Sequence, residues 1–144
     1  MTLNRCTVKG RKKFGSFSAM PHQVTDSTNY RSLSPRAVKL LVDMNAQYRG
    51  TNNGDICITP KLMRPWGWTS NDQLHKAKNE LLDKGWIVLT RQGGRNKANL
   101  YALTLWAIDE CGGKLDLKPT TAPLSWWKDG FDPETVNIVA LHTA

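Results

Sequence analysis

The side chains best equipped for covalent or metal chemistry are few and scattered in this chain of 144 residues. His22, His75 and His142 stand far apart, and none lies in an HExxH pattern or in the HxE…PCxxC pattern of zinc deaminases. Cys6, Cys57 and Cys111 form no CxxC pair. Neither a zinc site nor a disulfide framework is expected from them, and reduced thiols in a cytoplasm are the simplest state. Ser34, Ser70 and Ser125 lack the G-x-S-x-G setting of a nucleophile elbow, and neither GxxxxGKS nor GxGxxG occurs. Asp109 and Glu110 are adjacent, and helix neighbours do not face one another, so they make a poor acid–base pair. The expectation is a protein with no catalytic residue, no metal and no cofactor.

What the sequence does concentrate is positive charge. Lys and Arg number 20 against 12 Asp and Glu, for a net charge of +8 and an isoelectric point near 9.6. Such a balance points to a polyanion partner, most often nucleic acid. The excess is uneven: residues 1–30 carry +4, 31–60 carry +2, 61–104 carry +5 and 105–144 carry −3. Near the N-terminus, Lys9, Arg11, Lys12 and Lys13 lie beside Phe14 and Phe17. Residues 1–30 hold few large apolar side chains and read as a basic, flexible arm. Arg11, Lys12 and Lys13 would then contact phosphates or enter a minor groove; a solvated tail without a role is the equal alternative. No apolar run reaches the length of a membrane span, and Met1–Cys6 shows no leader-like apolar stretch, so a location in the cytoplasm is expected.

The elements that would carry this charge begin at Leu33. Ser34-Pro35 is a helix start, with Ser as cap and Pro at the first helical position, where its missing N–H costs nothing. Ala37, Val38, Leu40, Leu41, Met44 and Tyr48 then recur at helical spacing. After the turn Asn52-Asn53-Gly54, Asp55–Thr59 reads as a strand, and Pro60 opens a short helix through Arg64 that Pro65 and Gly67 close. Thr69 or Ser70 caps a further helix running to about Lys84, with Leu74, Ala77, Leu81 and Leu82 inward and Gly85 as its terminator. Trp86–Thr90 and Asn99–Thr104 read as a β-hairpin around Gly93-Gly94. Thr104–Cys111 reads as a short helix ending at Gly112-Gly113. Trp126-Trp127 forms an apolar patch that folds back on the domain or anchors a partner.

The order of helix, strand, short helix, helix and basic hairpin resembles the winged helix-turn-helix fold over residues 33–105. Its nearest flavour is that of small proteins of bacterial phages, plasmids and other mobile elements. The carrying residues are Ser34-Pro35-Arg36-Ala37, Asn52-Asn53-Gly54, Ala77 through Ile87 (AKNELLDKGWI) and Thr90-Arg91-Gln92-Gly93-Gly94. The resemblance implies an α+β chain: the arm over 1–30, a winged helix domain over 31–106, and an acidic C-terminal extension with its Trp pair over 107–144. In this family the second helix of the turn motif enters the major groove, which here is residues 70–84. Ser70, Asn71, Gln73, Lys76 and Asn79 are then the candidates for reading bases. Arg91, Arg95, Asn96 and Lys97 of the hairpin would lie on the backbone or in the minor groove, with Lys61 and Arg64 adding phosphate contacts. A helical wheel places Asp72, Lys76, Asn79, Glu80 and Asp83 outward, with Gln73 and His75 flanking, and the three acids there oppose a phosphate surface.

The implied function is sequence-specific binding of double-stranded DNA by a homodimer, as a transcriptional regulator of a phage or mobile element in the bacterial cytoplasm or nucleoid. Two alternatives stand beside it: a replication initiator that binds origin repeats, and a protein-binding winged helix that inhibits or recruits a host complex, with the acidic extension as a possible contact for a protein partner.

Overall fold

The structure, a computed structural model, describes residues 15–129 and 131–134. Ser34 and Ser70 each set the start of a long helix. The Ser34 Oγ accepts from the Ala37 amide at 3.2 Å and opens α3, Pro35–Gln47; the Ser70 Oγ accepts from the Gln73 amide at 3.3 Å and opens α5, Asn71–Asp83. Each hydroxyl satisfies one of the amides that a first helical turn leaves without a partner. Ala37, Leu40, Leu41 and Met44 of α3 meet Leu74, Ala77 and Leu81 of α5, and these apolar stripes form the centre of the core. Between them lie α4, Pro60–Met63, and a 3-10 turn, Arg64–Trp66. Gly67, at φ +96°, reverses the chain into α5. The Lys39 ammonium holds this reversal by donating to the Trp66 carbonyl and to Asp43 at 2.7 Å each. The same Asp43 oxygen also accepts from the Trp68 indole at 2.8 Å, so this buried carboxylate has two donors.

β1, Ile87–Arg91, pairs antiparallel with β2, Leu100–Leu103, and the register slips by one residue at Thr90. The result is an α+β chain with a single two-stranded sheet among the described residues. Both faces of the hairpin are covered. Ile87, Tyr101 and Leu103 join the helical core, whereas Val88, Leu100 and Ala102 meet Ile108, Leu115 and Leu117 of the C-terminal segment. That second cover explains why all four residues of β2 are buried.

Three expectations need correction. First, the segment read as an arm is folded from His22 onward. α1, His22–Thr25, and α2, Thr28–Arg31, are single turns of helix, and Val24 sits in the core. Asn29 fastens them: its amide donates to the carbonyls of Lys84 and Trp127, and its oxygen accepts from the Trp86 indole at 3.0 Å. Arg11, Lys12 and Lys13 lie outside the described residues. Second, the strand expected over Asp55–Thr59 contracts to one bridge between Ile56 and Tyr101. Third, no helix forms over Thr104–Cys111; a 3-10 turn over Cys111–Gly113 is all that remains. Buried Asn53 provides the reason. Its amide takes the carbonyls of Leu103, Trp106 and Ala107, and its own carbonyl accepts from Asp109, which diverts the groups that an α-helix would pair with one another.

The Trp pair divides. Trp127 is 6% exposed and stacks on Trp86 at 5.7 Å between ring centres, while Trp126 stacks on Phe131 at 5.5 Å. No helix among the described residues is long and apolar enough to cross a membrane.

Candidate nucleic-acid interface

The exposed residues of α5 include Asn71, Asp72, Gln73, His75, Lys76, Asn79 and Asp83. Ser70, expected to read bases, spends its hydroxyl on the helix cap. Lys76 is paired with Asp72 one turn back, at 3.0 Å, so these two charges largely cancel on the outer face. Glu80, expected to point outward, instead leans on α3, where its Oε2 accepts the backbone N–H of Ser34 at 2.8 Å. Lys84 stands 3.8 Å from the same carboxylate and donates to the Ser32 carbonyl at 2.9 Å. Burial alone would raise the Glu80 carboxyl, but hydrogen bonds from Ser34 and the charges of Lys84 and Arg36 outweigh it and hold the group below its ordinary value. Two of the three acids on this helix are thus engaged in the protein's own structure.

The hairpin tip is built differently from the Gly-Gly turn that the sequence suggests. Gly94 and Lys97 exchange two backbone hydrogen bonds at 2.9 and 3.1 Å, which puts Arg95 and Asn96 at the centre of the turn. Asn96, at φ +60°, supplies the left-handed residue that such a turn needs, and Asn tolerates this conformation better than most side chains. Gly93 instead permits a close approach, because a Cβ there would collide with the backbone of Lys97, Ala98 and Asn99. Arg95, Asn96 and Lys97 project into solvent, whereas Arg91 is half-buried and its Nη2 donates across the hairpin to the Ala98 carbonyl at 2.8 Å. Arg91 therefore braces the hairpin, and the solvent-facing positive charge of the tip lies at Arg95 and Lys97.

α5 and the hairpin meet along a cleft. A cavity of about 170 Å³ has Lys78 of α5 on one wall and Asn99 and Tyr101 on the other, above Ile58 and Pro60. A neighbouring cavity of about 100 Å³ continues along α5 past Asn71 and His75. Lys78, His75 and Asn99 are not among the site residues that the sequence predicts. The available signal is that Lys78 lies one turn from Leu74 at the edge of the apolar stripe, where a long stem packs and its ammonium still reaches solvent. Lys61 and Arg64 are exposed on α4 and the 3-10 turn, beside Trp66 and Leu62, which are also exposed at 45% and 44%.

No family model matches the chain, and neither a curated protein nor a solved structure matches it. Among the described residues, no three or more His, Cys, Asp or Glu gather to hold a metal ion. Burial, reinforced by Asp55 and Asp109, pushes the Cys111 thiol up, away from the thiolate form that nucleophilic chemistry uses.

Proposed function

We propose that this chain is a sequence-specific double-stranded DNA-binding protein with a winged helix-turn-helix fold, in which α4 and α5 form the turn motif and the β1–β2 hairpin is the wing. The bridge from Ile56 to Tyr101 supports the fold, because it adds the third, minimal strand before α4 to the edge of the hairpin. The observation that carries the function is the cleft shared by α5 and the hairpin, lined on the helix by Asn71, His75 and Lys78, with the exposed Arg95 and Lys97 at the hairpin tip. A helix of this width fits a major groove, and a hairpin beside it falls on the flanking phosphates. Arg95 and Lys97 would fix the position on the duplex, and Asn71, Gln73 and Asn79 would read its sequence. Regulation of transcription in a phage or other mobile element, as a homodimer on paired half-sites, is the role we assign, with origin binding in replication as its nearest variant.

A fluorescence-anisotropy titration of the full chain against random-sequence duplexes, repeated at several salt concentrations, tests the proposal. Binding that weakens steeply with salt is expected. The exposed Asp83 of α5 favours a second reading, docking of a basic protein. Absence of duplex binding at every salt concentration would decide against DNA.

A further inference from the structure

Asn71, His75 and Asn79 recur every fourth residue and form one exposed ridge along α5. At 1.5 Å of rise per residue the ridge runs for about 12 Å, or three to four base-pair steps. It borders the cleft to the hairpin, since Asn71 and His75 line the smaller cavity and Lys78 links that cavity to Asn99. Two of the charged side chains on this helix are occupied: Lys76 by Asp72, and Glu80 by Ser34 and Lys84.

Within the ridge, the Asn79 Nδ2 stands 3.1 Å from the His75 Nε2. With the Asn79 amide nitrogen as donor, the His75 ring nitrogen is the acceptor. This contact fixes which way the Asn79 amide points. One N–H engages His75, and the Oδ1 and the second N–H remain for a ligand. That donor–acceptor pair is the complement of the N7 and N6 amino group at the major-groove edge of adenine. Resting on the reading that α5 enters a major groove, we infer that Asn79 selects an adenine and that His75 is the residue that positions it. A lysine or arginine at this place would instead match the two acceptors of guanine.

Selection of duplexes from a random pool by the full chain, followed by titration of single-base variants of the selected site, tests the inference. Asn79→Ala is expected to lose about ten- to hundredfold of the discrimination at one adenine and to leave the other positions unchanged. Both ridge residues are exposed, and alanine favours helix, so the fold is retained. His75→Ala should weaken the same preference. His75→Gln should restore it, because a glutamine oxygen also accepts from the Asn79 amide; a merely structural role for His75 would not produce rescue at one base. A selected motif that Asn79→Ala leaves intact, or His75→Ala and His75→Gln behaving alike, would overturn the assignment while leaving DNA binding by α5 standing. Selection of no motif by the parent chain would overturn both.

Discussion

The carboxylate of Glu80, in the last turn of α5, caps the first turn of α3 by accepting the Ser34 N–H at 2.8 Å. Ser34 in turn caps its own helix through Ala37, so the start of α3 is closed from both sides, once within the helix and once across the core. Removing the group with Glu80→Ala should lower stability by roughly 1 kcal/mol, in line with the loss of other helix caps, as read from urea unfolding.

The same interaction has a pH signature. The folded-state value of Glu80 lies below the ordinary 4.5, so its stabilisation is complete above that value and is lost as the pH falls through the lower, folded one. The stability gap between the parent and Glu80→Gln should therefore narrow on acidification below pH 4.5. A gap that stays constant from neutral pH down through that range would remove this role.

The two glycines of the hairpin should respond differently to alanine. Gly93→Ala forces a methyl group into the backbone of Lys97–Asn99 and should displace the tip, lowering both stability and duplex affinity. Gly94→Ala meets nothing within 4 Å and should behave like the parent. Thermal melts and duplex titrations on the pair separate the close approach at Gly93 from a general demand for glycine.

These residues also mark how far the sequence can be read. α3 and α5 are legible because a serine cap and an apolar stripe coincide at each, and the hairpin because two β-rich runs flank a turn. The turn itself falls two residues beyond the position that the sequence suggests. Gly93-Gly94 is the stronger local signal, yet the pairing of Ile87 with Leu103 and of Arg91 with Leu100 centres the reversal on Arg95-Asn96. The 104–111 segment is helical by local pattern and yields to Asn53, a partner about fifty positions away whose reach no window contains. Glu80 escapes its solvent-facing expectation for the same reason: a wheel shows the angle of a side chain on its own helix and not the helix packed beside it. α1 and α2 are too short and too polar to show a periodicity, and their hold on the core comes through Val24 and the Asn29 side chain.

Charge at the hairpin and charge on α5 should have different effects on binding. Arg95→Ala with Lys97→Ala should flatten the dependence of log affinity on log salt by about two units, one for each phosphate no longer neutralised. Lys76→Ala with Asp72→Ala removes a neutral pair and should leave that slope nearly unchanged. Equal slopes for the two double variants would contradict the assignment of phosphate binding to the tip.

The C-terminal segment should prove integral to stability. Trp127→Ala deletes a buried ring stacked on Trp86 and should cost about 3 kcal/mol, visible as a fall in melting temperature. A variant that melts with the parent would mean that the segment after Leu105 contributes little to the fold.

The central claim is that α5 and the hairpin tip together form the surface that meets duplex DNA. Backbone amide shifts of the full chain, followed while a selected duplex is added, test it most directly. The account predicts that the largest shifts fall on Asn71–Asn79 and Gln92–Lys97. Large shifts confined to α1, α2 and residues 107–129, with α5 and the hairpin unmoved, would contradict it.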